Sequence, residues 1–224
     1  AWNPAEDQTF DTAANAIPGS SRVYRFAEKD RLGDEFLALR NPGEDLYTLD
    51  MEGLKLNFRK VTLKEKDSPE YLALRQQHHC FTSETSFGTE QLTSGRRAGM
   101  ALVQSNEYHL RAEVGFTEDG RLMAEVILCE KGEDRVLTGV EISRAVKETA
   151  GELKLRLKVE NLTATVEALC GDDSTIPLCT GQDIRALSTE VAGGFVGCTV
   201  GMYAVASGDC DNGAVCFKTF SYQA

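Results

Sequence analysis

Between Glu152 and Glu160 the chain alternates without a break: Leu153, Leu155, Leu157 and Val159 are apolar, while Lys154, Arg156, Lys158 and Glu160 are charged. A period of two puts the apolar set on one face of an extended chain and the charges on the other, which a helix of 3.6 residues per turn does not do. The same period predicts strands over residues 53–58, 84–87, 98–104, 108–116, 122–129, 136–142, 163–169, 196–205 and 215–222. Turn signals separate them: Asn41-Pro42-Gly43, Glu118-Asp119-Gly120, Lys131-Gly132-Glu133-Asp134, Gly171-Asp172-Asp173 and Asp211-Asn212-Gly213. About ten short strands with tight polar turns and almost no helical period describe an all-β, antiparallel two-sheet sandwich or barrel. Residues 1–30 lack a sustained period and read as an irregular lead-in or linker remnant, with one strand over 22–26. Residues 31–224 read as the β-sandwich domain.

Charge narrows the function. The chain has 24 Lys and Arg against 35 Asp and Glu, a net charge of −11. That excludes the cationic footprint on which nucleic-acid binding depends, and disfavours docking on anionic membranes. The longest nearly apolar run, residues 195–206, is too short for a spanning helix of roughly 20 residues and predicts a buried strand. The N-terminus shows neither a cationic start nor an apolar core, so any signal peptide is missing or already removed. Seven cysteines cannot all pair within one chain, and no C-x-x-C occurs. Free, buried thiols in a reduced setting are the expectation, which favours a cytoplasmic over a secreted location.

Candidate chemistry is sparse. Glycoside hydrolysis needs two carboxyl groups roughly 5 to 9.5 Å apart, and no acidic pair stands out among acids that occupy outward strand positions or turns. His78 and His79 are adjacent and would point to opposite faces of a strand, and with His109 they form no zinc signature. With Phe81 they could line a polar and aromatic pocket. Asp209, Asp211, Asn212 and Gly213 imitate the start of a calcium loop, but Phe220 stands where the bidentate acid belongs, so a simple turn is expected. Asn161-Leu162-Thr163 matches a glycosylation sequon between two strand-like runs. Gly193, Gly194 and Gly197 beside Phe195 fit a bulge or close backbone approach. No nucleophile elbow, Walker loop or dinucleotide fingerprint appears, and neither a metal nor a cofactor is expected.

Four blocks nevertheless occur in a telling order. They are Leu39-Arg40-Asn41-Pro42; Leu74-Arg75-Gln76-Gln77-His78 with Phe81-Thr82-Ser83-Glu84-Thr85; Ala98-Gly99-Met100-Ala101 through Tyr108; and the run from Leu187 to Gly197 continuing through Val200-Gly201-Met202-Tyr203-Ala204. Together they resemble the C-terminal β-sandwich of glycoside hydrolase family 43, the β-xylosidase and α-arabinofuranosidase group, over roughly residues 30–223. The resemblance implies a concanavalin A-like jelly roll, treated also as a carbohydrate-binding module. In such enzymes it follows a five-bladed propeller that supplies the catalytic carboxylates, and a loop of the sandwich helps close the active-site pocket. A chain of 224 residues has no room for both. The resemblance therefore implies a noncatalytic accessory domain of a xylan- or arabinoxylan-degrading hydrolase. Its partners would be a xylo- or arabino-oligosaccharide and an N-terminal catalytic propeller, with no nucleic acid and no membrane. Arg75, Gln76, Gln77, His78, His79, Phe81 and Tyr108 are the candidates for the sugar site or active-site rim. His79 stands where many relatives carry an aromatic, a departure that speaks against stacking there and leaves a hydrogen-bonding role open. The alternative is a purely structural domain that buttresses the propeller or mediates oligomerisation.

Overall fold

A computed structural model describes residues 21–40, 43, 45–147, 151–171, 174–194 and 196–224. The first part of the lead-in, Asn41-Pro42, Asp172-Asp173 and Phe195 thus lie outside the described residues. Two sheets face each other, and every pairing between their strands is antiparallel.

The larger sheet runs, in spatial order, β13 (Ser174–Asp183), β12 (Thr163–Cys170), β11 (Glu152–Glu160), β6 (Cys80–Gly88), β15 (Ala214–Gln223), β4 (Gly53–Asn57) and β3 (Tyr47–Asp50). An eighth strand, β1 (Ser21–Arg25), pairs with the end of β15. The second sheet runs β10 (Glu133–Glu141), β9 (Leu122–Glu130), β8 (His109–Phe116), β7 (Arg96–Val103), β14 (Thr199–Ala206), β5 (Glu70–Arg75) and β2 (Leu37–Ala38). Helix is confined to short pieces, among them α1 (Ser143–Lys147) and α2 (Thr189–Ala192). The stretch 21–30 supplies β1 and the fully buried Phe26, so packing of the sandwich already involves it.

The period-two pattern explains the core. On β11, Leu153, Leu155, Leu157 and Val159 are buried, opposite Phe87, Thr85, Ser83 and Phe81 of β6. Each such aliphatic side chain stabilises the fold by about 1.5–3 kcal/mol relative to exposure. On the outer face of the same strands, Arg156 bridges Glu84 and Glu167, giving the wet side a ladder of alternating charge. The second sheet contributes Met100, Leu102, Val114, Val126, Val200 and Met202 to the shared core. Its outer face is also partly covered: Leu63, in the β4–β5 connection, packs with Tyr71, Ala73, Ala101, Val103, Tyr203 and Val205 in a second cluster. The β9–β10 turn takes positive φ at both Lys131 (53°) and Gly132 (79°), the mirror-image turn that suits the twist of a hairpin.

Candidate functional site: a cleft at one end of the sandwich

Three connections meet at one end of the molecule. Residues 76–79 join β5 to β6, Asn161 and Leu162 cap the β11–β12 hairpin, and residues 184–198, which include α2, join β13 to β14. Backbone bonds lace them together. Gln76 N–H donates to the Cys198 carbonyl at 2.9 Å, Asn161 N–H to the His79 carbonyl at 2.8 Å, and Ile184 N–H to the Leu162 carbonyl at 2.9 Å. Asn161 takes a left-handed conformation with φ of 56°, which asparagine tolerates better than most residues. From Gln104 on the second sheet, Nε2 donates to the Gly193 carbonyl at 3.0 Å and ties down the far side of α2.

The result is an open cleft of about 650 Å³. One wall is Gln76, Gln77, His78 and His79; the others bring Asn161, Ser188, Thr189 and Glu190, over an apolar floor that includes Leu102, Ile184 and Leu187. Among the described residues of the lining, Glu190 is the single formally charged side chain. Its own backbone N–H and then the Ser188 hydroxyl hold its carboxyl below the usual range, so it is ionised at neutral pH. Side-chain amides, imidazoles and hydroxyls beside aliphatic carbon are the donor and acceptor mixture that small polar ligands require.

Of the seven candidates from the sequence, the fold brings four to this cleft: Gln76, Gln77, His78 and His79. Arg75 is exposed at the end of β5 and lies outside the lining. Phe81 is buried behind the wall, its ring stacked on Tyr222 with centroids 4.9 Å apart. Tyr108 is also buried and belongs to the main core. Among the described residues no Phe, Tyr or Trp lines the cleft, so sugar stacking on Phe81 or Tyr108 has no geometric basis. Sequence reading missed Asn161, Thr189 and Glu190 as cleft residues, since only the fold brings two distant connections beside residues 76–79. The one local signal was Asn161 in a turn position between two alternating runs.

Tyr222 organises the wall from behind. Its phenol oxygen lies 3.0 Å from Gln77 N, 3.1 Å from His78 N and 3.1 Å from His78 Nδ1. Burial raises the pKa of this phenol, so it keeps its proton. Gln76 Nε2 donates to the His78 carbonyl at 3.0 Å, and an Arg22 Nη donates to Gln77 Oε1 at 3.4 Å.

Two other clusters are closed by a cation of the chain itself. The potential ligand atoms of His109, Cys129 and Asp134 lie within 4.8 Å of one another. However, Arg111 grips both Asp134 oxygens at 3.0 and 2.8 Å and donates to His109 Nε2 at 3.2 Å, so two of the three residues are already engaged by a cation of the chain. Burial, with Arg111 adding to it, lowers the pKa of His109 to about 4. Arg111 also meets the buried Glu113 at 2.7 Å, whose carboxyl burial pushes upward. At the suspected calcium-like turn, Lys60 Nζ sits 3.6 Å from both Asp209 and Asp211, and Arg96 donates to Asn212. All seven cysteines are free.

The chain is similar to known proteins over most of its length. The beta xylosidase C-terminal concanavalin A-like domain matches residues 24–223. A xylosidase/arabinosidase of Butyrivibrio fibrisolvens is 30% identical over 219 residues, covering 92% of this chain and 40% of that protein. A non-reducing end alpha-L-arabinofuranosidase of Bacteroides ovatus is 24% identical over 201 residues, covering 88% of this chain and 36% of that protein. The chain thus spans well under half the length of these relatives. The crystal structure of a xylan beta-1,4-xylosidase from Bacillus halodurans superposes with a TM-score of 0.79 at 21% identity, covering 90% of this chain and 39% of that one, and shares its fold.

Proposed function

Because the chain belongs to the family of beta xylosidase C-terminal concanavalin A-like domains, we propose that it is the noncatalytic sandwich of a family 43 glycosidase acting on xylose- or arabinose-bearing chains. The catalytic carboxylates belong to a propeller domain, and the sandwich supplies part of the active-site rim. The observation that carries this reading is the cleft wall Gln76–His79, held in place by Tyr222 and facing Asn161, Ser188 and Thr189. Amide, imidazole and hydroxyl groups hydrogen-bond sugar hydroxyls, and the aliphatic floor meets the sugar carbons. Chemistry resides elsewhere, and the contribution of this chain is orientation. Among the described residues the two buried acids, Glu70 and Glu113, are each paired to an arginine and neither lines the cleft.

Titration of the chain with xylo-oligosaccharides, followed by amide chemical shifts, tests the reading. Millimolar dissociation constants, about 4 kcal/mol of binding, are expected for a shallow polar site. Shifts should concentrate at Gln77, His79, Asn161 and Thr189. His79→Ala should weaken binding while leaving the melting temperature unchanged, since the side chain is exposed. No shift change at millimolar ligand would remove the sugar role and leave only the buttressing one.

A further inference from the structure

We propose that Tyr222 is the positioning residue of the cleft, and that it fixes His78 as a hydrogen-bond donor through Nε2–H toward a sugar oxygen. This rests on the reading of the cleft as a sugar site. A phenol oxygen accepts through two lone pairs and donates one hydrogen. Here the two acceptor positions are taken by the backbone N–H groups of Gln77 and His78, which can only donate. The remaining phenol hydrogen points to His78 Nδ1, which must therefore accept it. A neutral imidazole that accepts at Nδ1 carries its proton at Nε2.

That proton has no partner. His78 Nε2 is buried from water and meets no acceptor among the described residues, although His78 is one of the residues that line the cleft. A buried, unpaired donor is costly and is the kind of group a ligand oxygen satisfies. Because Nε2 is shielded, the proposed donation requires a side chain of the cleft wall to move aside. Phe81, stacked on the Tyr222 ring, holds the phenol from turning away. The chemical class of ligand that follows is one presenting an oxygen acceptor beside an aliphatic face, a hydroxylated sugar ring.

Ring nitrogen shifts in the nuclear magnetic resonance spectrum of the whole chain test the assignment directly, since it has only three histidines. The expected spectrum shows His78 as the Nε2–H form, with that preference lost in Tyr222→Phe, which keeps the ring and its stack on Phe81. Xylo-oligosaccharide affinity should fall about fivefold to tenfold in that variant, the loss of one hydrogen bond. Should Tyr222→Phe not fold, His78→Asn and His78→Gln replace it. Asparagine keeps an acceptor near the Nδ1 position without the distal donor, whereas glutamine restores a distal N–H, so glutamine should retain more affinity. A wild-type His78 in the Nδ1–H form, a ring unchanged by Tyr222→Phe, or equal affinities for the asparagine and glutamine variants would overturn the proposal. A chain with the expected ring form that binds no sugar would uphold the hold of Tyr222 on His78 and overturn the donation to sugar, together with the binding role it rests on.

Discussion

Glu70 forms an ion pair with Arg59, whose Nε lies 3.0 Å from one carboxylate oxygen, while its other oxygen is buried without a donor among the described residues. Burial, the larger effect, lifts its pKa to about 7 against the pull of Arg59, with Asp45 adding a smaller upward push. A carboxyl raised in the folded state binds its proton more tightly there than in the unfolded chain. Its stabilising share is complete below about pH 4.5 and is lost as pH rises through about 7. Glu70→Gln should therefore gain on the parent by up to about 3 kcal/mol between pH 5 and pH 8. Urea unfolding of both proteins across that range measures the difference, and parallel curves would refute it.

His109 works in the opposite direction. Its pKa is lowered to about 4, so the folded state resists a proton that the unfolded chain accepts. Its stabilising share is complete above about pH 6.5 and is lost as pH falls toward 4, again by about 3 kcal/mol. The slopes of Glu70 and His109 oppose each other between about 4.5 and 6.5, so neither is visible in the parent alone. His109→Gln, compared with the parent at pH 4 and pH 7 by thermal unfolding, should show the acid-side loss removed.

Arg111→Met should be the most damaging charge deletion. It leaves Glu113 buried beside no strong partner and frees Asp134 from its two-pronged contact. Breaking one side of a buried pair typically costs about 3–5 kcal/mol. The double variant with Glu113→Gln should recover part of that loss in denaturant titration. A single variant that unfolds at the parent's midpoint would show the network to be energetically idle.

The alternation on β11 gives a paired test. Leu157→Ala opens a void in the packed core and should cost about 2–5 kcal/mol, whereas Lys158→Ala on the wet face should stay within about 0.5 kcal/mol. Equal effects from the two neighbours would contradict the two-faced strand.

These contrasts also explain what could be read in the sequence. β11 was legible to the residue because one face is wet and the other buried. β5 was not, since Tyr71 and Ala73 are buried in the outer cluster while Leu72 and Leu74 enter the main core, which erases the polar half of the pattern. β13 was missed because its alternation is broken by Pro177 and by register shifts against β12. The expected strand over 196–205 begins instead at Thr199, as residues before it belong to the cleft connection. At the site, the contiguous wall Gln76–His79 was accessible, but its support was not. Tyr222 lies 144 residues from His78 along the chain, and no local pattern announces that contact.

The place of β15 in its sheet sets the order in which the molecule can be built. It follows the other described strands in chain order, yet it lies between β6 on one side and β4 and β1 on the other. Without residues 214–223 in place, the other described strands of the larger sheet fall into separate groups with bare edges, exposed to mispairing. Loss of that stretch would split a sheet instead of trimming a tail. Because Tyr222 rides on the same strand, the cleft wall is set only once β15 has closed the sheet, so an intact site and a continuous sheet stand or fall together.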